Sequence, residues 1–370
     1  MKLLHTADWH LGKKLEGKSQ IEEQKRVLSE ILRIVEKEKI DVTIVAGDIF
    51  DTAVPTSEAE ELFYETATAF SERCLFVVIA GNHDDNVRLC AAKALAKKHG
   101  MVLCGDLDNE YFTFGDVVGG EGFISYSRNG ERLNLALLPY PLEGMLETGD
   151  APYGEKVAKV IEKCSACFKK GEYNVFVSHL FMAGSEKEES SLGGARLLPK
   201  EILPECDYVA LGHIHKSGVV SKSKRAYYSG SLLPYSFDDT AQKSVNIIDL
   251  DNGRSAVETI ALTEYKKLVR IEVTTFDEAV EKLNACEDKA EIIYKSNQPV
   301  NGLQMNALRA IPSFVKFSPR PERESADRAA RKLLTDDALF KSFYQEKRAK
   351  EADDDTVDLF MRALKGEELQ

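Results

Sequence analysis

Short apolar strands in the N-terminal part of this chain end repeatedly in side chains that bind metal ions. The predicted strands cover residues 2–6, 42–46, 75–80, 175–178 and 208–211, and the residues that follow them include Asp8, His10, Asp48, Asp51, Asn82, His83, Asp84, His179, His213 and His215. Ligands of α/β proteins collect beyond the carboxyl ends of the sheet strands. One histidine at such a place is usually an ordinary structural residue, but five of the seven histidines of this chain lie here. The pattern predicts a metal site on a mixed α/β fold.

The predicted donors are imidazole nitrogens and carboxylate or amide oxygens, with no thiolate among them. Such a set suits Mn²⁺, iron or Zn²⁺. It is too large for one tetrahedral ion. Two ions about 3.5–4 Å apart, bridged by one carboxylate, would use all of these donors and suit in-line phosphoryl transfer.

The order of the motifs is D-x-H at residues 8–10, GD-x-x-D at 47–51, GNHD at 81–84, an isolated histidine at 179 and GHIH at 212–215. In this order the motifs resemble those of the calcineurin-like metallophosphoesterases. The resemblance implies a four-layer α/β/β/α sandwich over residues 1–264. It also implies one metal set of Asp8, His10 and His215, a second set of Asn82, His179 and His213, and Asp48 as the bridge between the two ions.

The same resemblance assigns the catalytic acid to His83, a non-ligand that protonates the leaving oxygen or stabilises the pentacoordinate phosphorus. Asp51 would hydrogen-bond His83 and raise its basicity. The alternative for Asp51 is a helix N-cap. For Asp84, a structural brace is preferred to a role as ligand.

Residues 12–19, GKKLEGKS, also match the P-loop pattern G-x-x-x-x-G-K-[ST]. A P-loop leaves its strand almost directly and wraps its backbone around phosphate. Here residues 7–11 intervene and carry two predicted metal ligands, so we interpret the match as coincidental. Lys13 and Lys14 of this segment, and Arg88 further along the chain, are candidate contacts to DNA phosphates. The alternative is that they are solvated surface charges.

Residues 265–320 predict a small α+β module, which the resemblance assigns as a capping domain, and residues 321–370 predict a helical tail. Apolar side chains follow helical spacing in this tail: Phe340, Phe343, Tyr344, Val357, Phe360, Met361 and Leu364. Such stripes need a cover. Docking on a partner is the functional interpretation, and packing on the nuclease domain is the alternative.

The composition of the chain narrows the class of protein further. The chain has 43% hydrophobic and 30% charged residues, which is typical of globular proteins. A net charge of −12 argues against nonspecific coating of nucleic acid. No apolar run is long enough for a membrane span, and the N-terminus has no secretory signal. The seven cysteines are typical of reduced thiols, so we expect a cytoplasmic protein.

Together, the residues and the resemblance predict a two-metal, manganese-dependent DNA nuclease. It would act on duplex ends, hairpins and single strands in DNA repair, recombination and replication, as a homodimer with an SbcC-type coiled-coil ATPase. The main alternative is a metallophosphodiesterase for small molecules or nucleotides without an ATPase partner. A non-catalytic scaffold is less favoured, because every ligand position of the motifs is filled.

Overall fold

The computed structural model describes residues 1–107, 111–146, 149–183, 196–251, 254–320, 335–348 and 350–364. The chain forms two compact units, Met1–Leu268 and Val269–Gln370. The predicted boundary at residue 320 and the capping and docking roles remain predictions. None of the helices in the described ranges has the length and apolar character needed to cross a bilayer.

The first unit contains two large sheets. The first sheet consists of β1 (Lys2–Thr6), β4 (Val42–Ala46), β5 (Leu75–Ile79), β6 (Met101–Cys104), β15 (Ser244–Asp251) and β16 (Arg254–Ala261). Its strand order is β16-β15-β1-β4-β5-β6, and β1, β4, β5 and β6 run parallel. Strands β4 and β5 are buried at every residue, because a parallel sheet is covered on both faces.

The second sheet consists of β7 (Phe112–Phe114), β8 (Val117–Gly120), β9 (Phe123–Arg128), β10 (Glu131–Leu138), β11 (Tyr173–His179), β12 (Tyr208–Gly212), β13 (Gly218–Ser221) and β14 (Ala226–Tyr228). Its order is β13-β14-β12-β11-β10-β9-β8-β7. Strands β7 to β10 form successive antiparallel pairs, as the Gly-punctuated sequence of residues 111–140 predicts. Strands β10, β11 and β12 are parallel, so their carboxyl ends meet at one edge.

The helices of this unit are α1 (Ile21–Glu38), α2 (Ser57–Ser71), α3 (Asn86–Leu89), α4 (Lys93–Lys98) and α5 (Tyr153–Ser165), and a short hairpin joins β2 (Lys14–Leu15) to β3 (Lys18–Ser19). Alternation along the strands builds the layers. In β1, Leu3 packs between the sheets and Leu4 packs under α1 and α2. In β11, Val177 faces the first sheet and Phe176 faces α5. The predicted α/β/β/α sandwich is confirmed.

The second unit begins with a three-stranded sheet of order β17-β18-β19. Its elements are β17 (Leu268–Val273), α6 (Phe276–Asn284), β18 (Lys289–Tyr294), α7 (Gly302–Arg309) and β19 (Phe314–Pro319), followed by α8 (Asp336–Arg348) and α9 (Asp354–Leu364). Val273, Leu283, Ile292, Leu308 and Phe314 form the core of the sheet module. This module therefore has a hydrophobic core of its own.

Some local predictions were wrong. The Ala-rich sequence of residues 89–99 predicts a single helix, but the structure has α3, a 3₁₀ turn at Cys90–Ala92 and α4. The Asp85 side chain accepts the Arg88 N–H at 2.7 Å and starts the helix early, and Cys90 leaves helical geometry with ψ of 2°. Strands β15 and β16 and helix α7 were missed, although Asn301 and Gln304 form a capping box for α7.

Candidate metal centre

The loops that follow β1 and β4 lie side by side at the carboxyl edge of the first sheet. The Asp8 N–H donates to the Gly47 carbonyl and the His10 N–H to the Asp48 carbonyl, each at 3.0 Å. Asp8, His10 and Asp48 have φ of 52°, 46° and 53°, in the left-handed region. Residues other than glycine rarely adopt this conformation, and such strained positions cluster at functional sites.

Glycine precedes several predicted ligands for a steric reason. A Cβ on Gly81 would overlap the backbone and carboxylate of Asp48, and a Cβ on Gly212 would overlap the Ala46 carbonyl and lie 2.7 Å from His179 Nδ1. A Cβ on Gly47 would collide with the His179 ring. The glycines of the GD, GN and GH motifs therefore let neighbouring strand ends approach closely enough for their ligands to meet.

The first predicted ligand set meets in the structure. Asp8, His10 and His215 each offer one donor atom, and these atoms lie within 4.8 Å of one another. His10 Nε2 lies 3.0 Å from His215 Nε2. Two imidazole nitrogens that face each other at this distance cannot both carry a proton, and a shared cation would satisfy both lone pairs.

The second predicted set meets around an amide oxygen. Asn82 Oδ1 lies 3.0 Å from His179 Nε2 and 2.9 Å from His213 Nδ1. His179 Nδ1 lies 2.8 Å from the Ala46 carbonyl oxygen. Because a carbonyl can only accept, Nδ1 carries the proton there and leaves Nε2 directed at Asn82 and Asp48.

Asp48 lies between the two sets. Its Oδ2 is 3.5 Å from His10 Nε2 and 3.4 Å from His179 Nε2. Its Oδ1 accepts the backbone N–H of His83 at 2.9 Å. The carboxylate is thus fixed by one oxygen and presents the other to both halves of the site.

Burial and neighbouring charges shift the pKa values of the site residues strongly. Burial lowers the pKa of His213 to about 3 and that of His215 well below its usual value, so both rings are neutral, the form that binds metal. Burial and the Asp48 charge raise the pKa of Asp8 to about 7. Burial opposes the charge on His179, but Asp48 outweighs it and raises the pKa of His179 to about 9. The nitrogen and oxygen donors fit divalent metal ions, and this is a possible metal-binding site of the chain.

His83 and Asp51 are brought together, but not as predicted. His83 Nδ1 lies 2.8 Å from the backbone carbonyl oxygen of Asp51. The Asp51 carboxylate instead contacts Lys13 Nζ at 2.5 Å and lies 3.6 Å from His10 Nδ1. Despite partial burial, these two contacts lower the pKa of Asp51 to about 2. The ammonium group of Lys13 competes with His83 for the carboxylate.

The structure also bears on the alternative roles of Asp51 as a helix N-cap and of Asp84 as a structural brace. Helix α2 is capped by Thr56, whose hydroxyl accepts the Ala59 N–H, so Asp51 is not its N-cap. Asp84 braces the loops as preferred: its carboxylate accepts the N–H groups of Gly81 at 2.8 Å, Phe50 at 2.9 Å and Ile49 at 3.1 Å. This one carboxylate ties the GNHD loop to the GD-x-x-D loop.

The candidate phosphate contacts differ in their surroundings. Lys14 is exposed on β2, Lys13 pairs with Asp51, and Arg88 pairs with Glu60 at 2.8 Å. The P-loop match of residues 12–19 spans the β2–β3 hairpin, in which Lys14 pairs with Ser19. A hairpin with extended strands is not the phosphate-wrapping loop of an NTPase, which agrees with the coincidental interpretation.

In the tail, the predicted aromatic residues hold two helices together. Phe340 of α8 stacks on Phe360 of α9 with ring centroids 4.0 Å apart, and Phe340 also contacts Tyr344 at 5.8 Å. Val357 is buried. Phe343 and Leu364 remain exposed, each at 56%. The stripe is thus divided into residues that join the hairpin and residues that face outward.

Several residues that contact the site belong to none of the metal-ligand motifs. Tyr140 and Phe181 flank the ring of His213, with centroids 6.4 and 5.6 Å away. Gln24 and Tyr235 contact the D-x-H loop. Gln24 is a polar residue within an amphipathic helix pattern, and such a residue ordinarily faces solvent.

Nitrogen and oxygen donors that converge at the strand ends of an α/β/β/α sandwich define the class of metal-dependent phosphoesterases. A family model described as calcineurin-like phosphoesterase matches residues 1–217. The SbcD component of the SbcCD nuclease of Bacillus subtilis is 34% identical over 100% of this chain and 99% of its own length. The chain belongs to the calcineurin-like phosphoesterases and, among them, to the SbcD family of nuclease components.

The chain is also similar to other proteins, two of which illustrate the range. The SbcD component of the SbcCD nuclease of Staphylococcus saprophyticus is 29% identical over 80% of this chain and 76% of its own. Among solved structures, the NAD nucleotidase of Haemophilus influenzae aligns with 90% of this chain and 59% of its own, at 11% identity and a TM-score of 0.37.

Proposed function

We propose that this chain is the nuclease component of an SbcCD-type complex and hydrolyses DNA phosphodiester bonds with two Mn²⁺ ions. The observation that carries the proposal is the position of Asp48, whose Oδ2 faces both His10 and His179. One ion would be held by Asp8, His10 and His215, and the other by Asn82, His179 and His213. Bound metal ions supply a water of lowered pKa and neutralise charge on the phosphoryl oxygens.

The side chains around the two sets orient the reaction. His83 would donate a proton from Nε2 to the leaving oxygen, since its Nδ1 is directed at the Asp51 carbonyl oxygen. The buried loops hold the donors before substrate arrives, so little reorganisation is needed in the transition state. Lys14, exposed near the D-x-H loop, would contact backbone phosphate.

DNA is favoured over a small diester as the substrate because the similarity to a nuclease component extends over the whole chain. A phosphodiesterase for small molecules would need the metal centre but neither the three-stranded module nor the α8–α9 hairpin. We assign duplex ends, hairpins and single strands as substrates, and the module of residues 265–320 as the part that orients duplex DNA.

The test is digestion of end-labelled duplex and hairpin DNA by the full-length chain with Mn²⁺, Mg²⁺ or Zn²⁺. We expect the greatest cleavage with Mn²⁺, and none by the Asp48→Asn variant purified in the same way. Hydrolysis of bis-p-nitrophenyl phosphate with no cleavage of DNA would favour the small-molecule alternative.

We propose that the α8–α9 hairpin docks on an SbcC-type coiled-coil ATPase, and that the nuclease works as a homodimer in the cytoplasm. Phe340 and Phe360 join the two helices, while Phe343, Leu359 and Leu364 are exposed at 56%, 50% and 56%. A binding interface is built around a central cluster of aromatic or aliphatic anchors of this kind. The ATPase activity would come from the partner.

Co-purification with an SbcC-type partner tests the docking face. Combined Phe343→Ala, Leu359→Ala and Leu364→Ala substitutions should abolish co-purification and leave manganese-dependent cleavage by the isolated chain intact. Leu303→Ala is the matched control, because Leu303 is 83% exposed on α7 of the same unit. Retained co-purification of the triple variant would exclude this face as the docking site.

A further inference from the structure

The D-x-H loop is held from outside by the side chain of Gln24. Gln24 lies in α1 and is completely buried. Its Nε2 lies 2.7 Å from the His10 carbonyl oxygen and 3.2 Å from the Trp9 carbonyl oxygen. Its Oε1 accepts the Gly12 N–H at 3.2 Å. One amide group therefore contacts three backbone groups of residues 9–12.

Tyr235 completes this arrangement from a distant part of the chain. Its hydroxyl donates to the Trp9 carbonyl at 2.5 Å and accepts from Gln24 Nε2 at 3.0 Å. Its ring packs edge-on against His10 and His215, with centroids 5.6 and 6.0 Å away. We call the Gln24 amide and the Tyr235 hydroxyl the loop clamp.

The loop needs a clamp because its backbone alternates in conformation. Asp8, His10 and Gly12 all have positive φ, at 52°, 46° and 86°. The strained residues persist only where the surroundings over-determine them. This alternation directs the Trp9 and His10 carbonyls into the protein, where an unpaired carbonyl would be costly. Removal of the clamp would let the loop relax, and Asp8 and His10 would move with it.

We propose that Gln24 and Tyr235 are positioning residues for the ion held by Asp8, His10 and His215. The assignment rests on the proposed two-metal centre. The clamp touches none of the second set (Asn82, His179 and His213) in the contacts described. It therefore acts directly on the first ion, and it reaches the second set only through Asp8, whose carboxylate accepts the His213 N–H at 3.0 Å.

The test is calorimetric titration of the metal-free, full-length chain with Mn²⁺, together with electron paramagnetic resonance of the loaded protein. Gln24→Met and Tyr235→Phe remove the clamp's hydrogen bonds while keeping much of the packing. We expect either variant to bind one of two ions about 10–100-fold more weakly, the effect typical of residues that orient ligands. At one equivalent of Mn²⁺, the spectrum should match that of His215→Ala, which lacks a ligand of the first ion.

Tyr208→Phe is the matched control. Tyr208 is also buried, and its hydroxyl contacts His5 and Asn246 between the sheets rather than the D-x-H loop. This control should bind both ions as tightly as the wild type. If Tyr208→Phe weakened Mn²⁺ binding as much as the clamp variants do, the loss of affinity would reflect general destabilisation of the fold, and the proposal would be overturned.

The remaining outcomes separate this inference from the proposed function. A wild-type chain that binds two ions, with Tyr235→Phe unchanged in both affinities, would overturn the clamp alone. A wild-type chain that binds fewer than two ions would overturn the two-metal centre and the clamp with it. Should Gln24→Met fail to fold, Tyr235→Phe decides the question, since it removes a single oxygen atom.

Discussion

The two halves of the candidate metal centre are supported in different ways. The half made by Asp8, His10 and His215 depends on side chains that lie outside the motifs of its ligands. Gln24 and Tyr235 hold the D-x-H loop, and Lys243 Nζ donates to the His215 carbonyl at 2.9 Å. These three supports come from α1 and from the region around β15.

The half made by Asn82, His179 and His213 is supported mainly by backbone. His179 Nδ1 contacts the Ala46 carbonyl, and Gly81 and Gly212 permit the close approach of neighbouring strand ends. The strand ends themselves are the scaffold here. The difference teaches that the first half can be weakened through side chains outside its motifs, whereas the supports of the second half lie within the motif loops and strand ends themselves.

The largest effect is expected where the two halves meet. Asp48→Asn keeps the size of the side chain but removes the charge that faces both His10 and His179. We expect both ions to be lost and manganese-dependent cleavage to fall to background. Metal analysis after gel filtration measures this, with His215→Ala and Asn82→Ala as variants that should each lose one ion. If the Asp48→Asn variant still bound one ion, the proposal that both ions share the Asp48 carboxylate would be wrong.

His83 belongs to neither half and should separate chemistry from metal binding. His83→Gln should retain two ions per chain, while turnover falls about 10²–10⁴-fold, the contribution of a positioned general acid. Steady-state cleavage rates and metal content of the same preparation give the two values. A metal-poor His83→Gln protein would instead make His83 a ligand, alongside its neighbours His10 and Asp48.

Lys243 tests the remote support of the first half. Its side chain is 1% exposed, and Nζ donates to the His215 carbonyl, to Ser231 Oγ at 3.0 Å and to Asp239 Oδ2 at 2.6 Å. Removal of one partner from a buried pair typically costs about 3–5 kcal/mol. Lys243→Met should lower the free energy of unfolding by this amount in urea titrations and weaken the first ion only.

The matched control for Lys243 is Lys295→Met. Lys295 pairs with Glu272 at 2.6 Å, but both side chains are exposed, at 44% and 63%. Exposed pairs contribute about 0–1 kcal/mol. A Lys243→Met protein as stable as this control would contradict the role of Lys243 as a structural support.

A single added methyl group should disturb the second half. Gly212→Ala would place a Cβ against the Ala46 carbonyl and His179 Nδ1. Overpacking costs about 1–3 kcal/mol, and the shifted His179 should weaken the second ion while the first is unchanged. Gly218→Ala is the control, since nothing lies within 4 Å of its Cβ position. Equal unfolding midpoints for the two variants would refute the steric argument.

The second half is the part of the site that the sequence predicts best. Its supports are the strand ends and the glycines beside the ligands, so the motifs contain both the donors and their scaffold. For the first half, the sequence predicts the donor residues but not the residues that support them. Gln24, Tyr235 and Lys243 act through tertiary contacts with backbone carbonyls, and no spacing in the sequence reports such contacts. The Asp51 carboxylate was likewise assigned to His83, because the competing Lys13 contact exists only in three dimensions.

The fold shows the same division. The parallel strands β4 and β5 are continuous Val/Ile-rich segments and were predicted closely, since burial on both faces leaves a plain pattern. Strands β15 and β16, which pair with each other, were missed. Strand β15 also pairs with β1, which lies at the opposite end of the unit in sequence. Local patterns predict elements whose neighbours are close in the chain, and long-range pairing gives no such signal.

The most direct test of the shared carboxylate is anomalous X-ray diffraction at the manganese edge from crystals of the Mn²⁺-loaded chain. The account predicts two anomalous peaks about 3.5–4 Å apart. One would be bound by Asp8, His10 and His215, the other by Asn82, His179 and His213, with Asp48 contacting both. A single peak, or two peaks with Asp48 bound to only one, would contradict it.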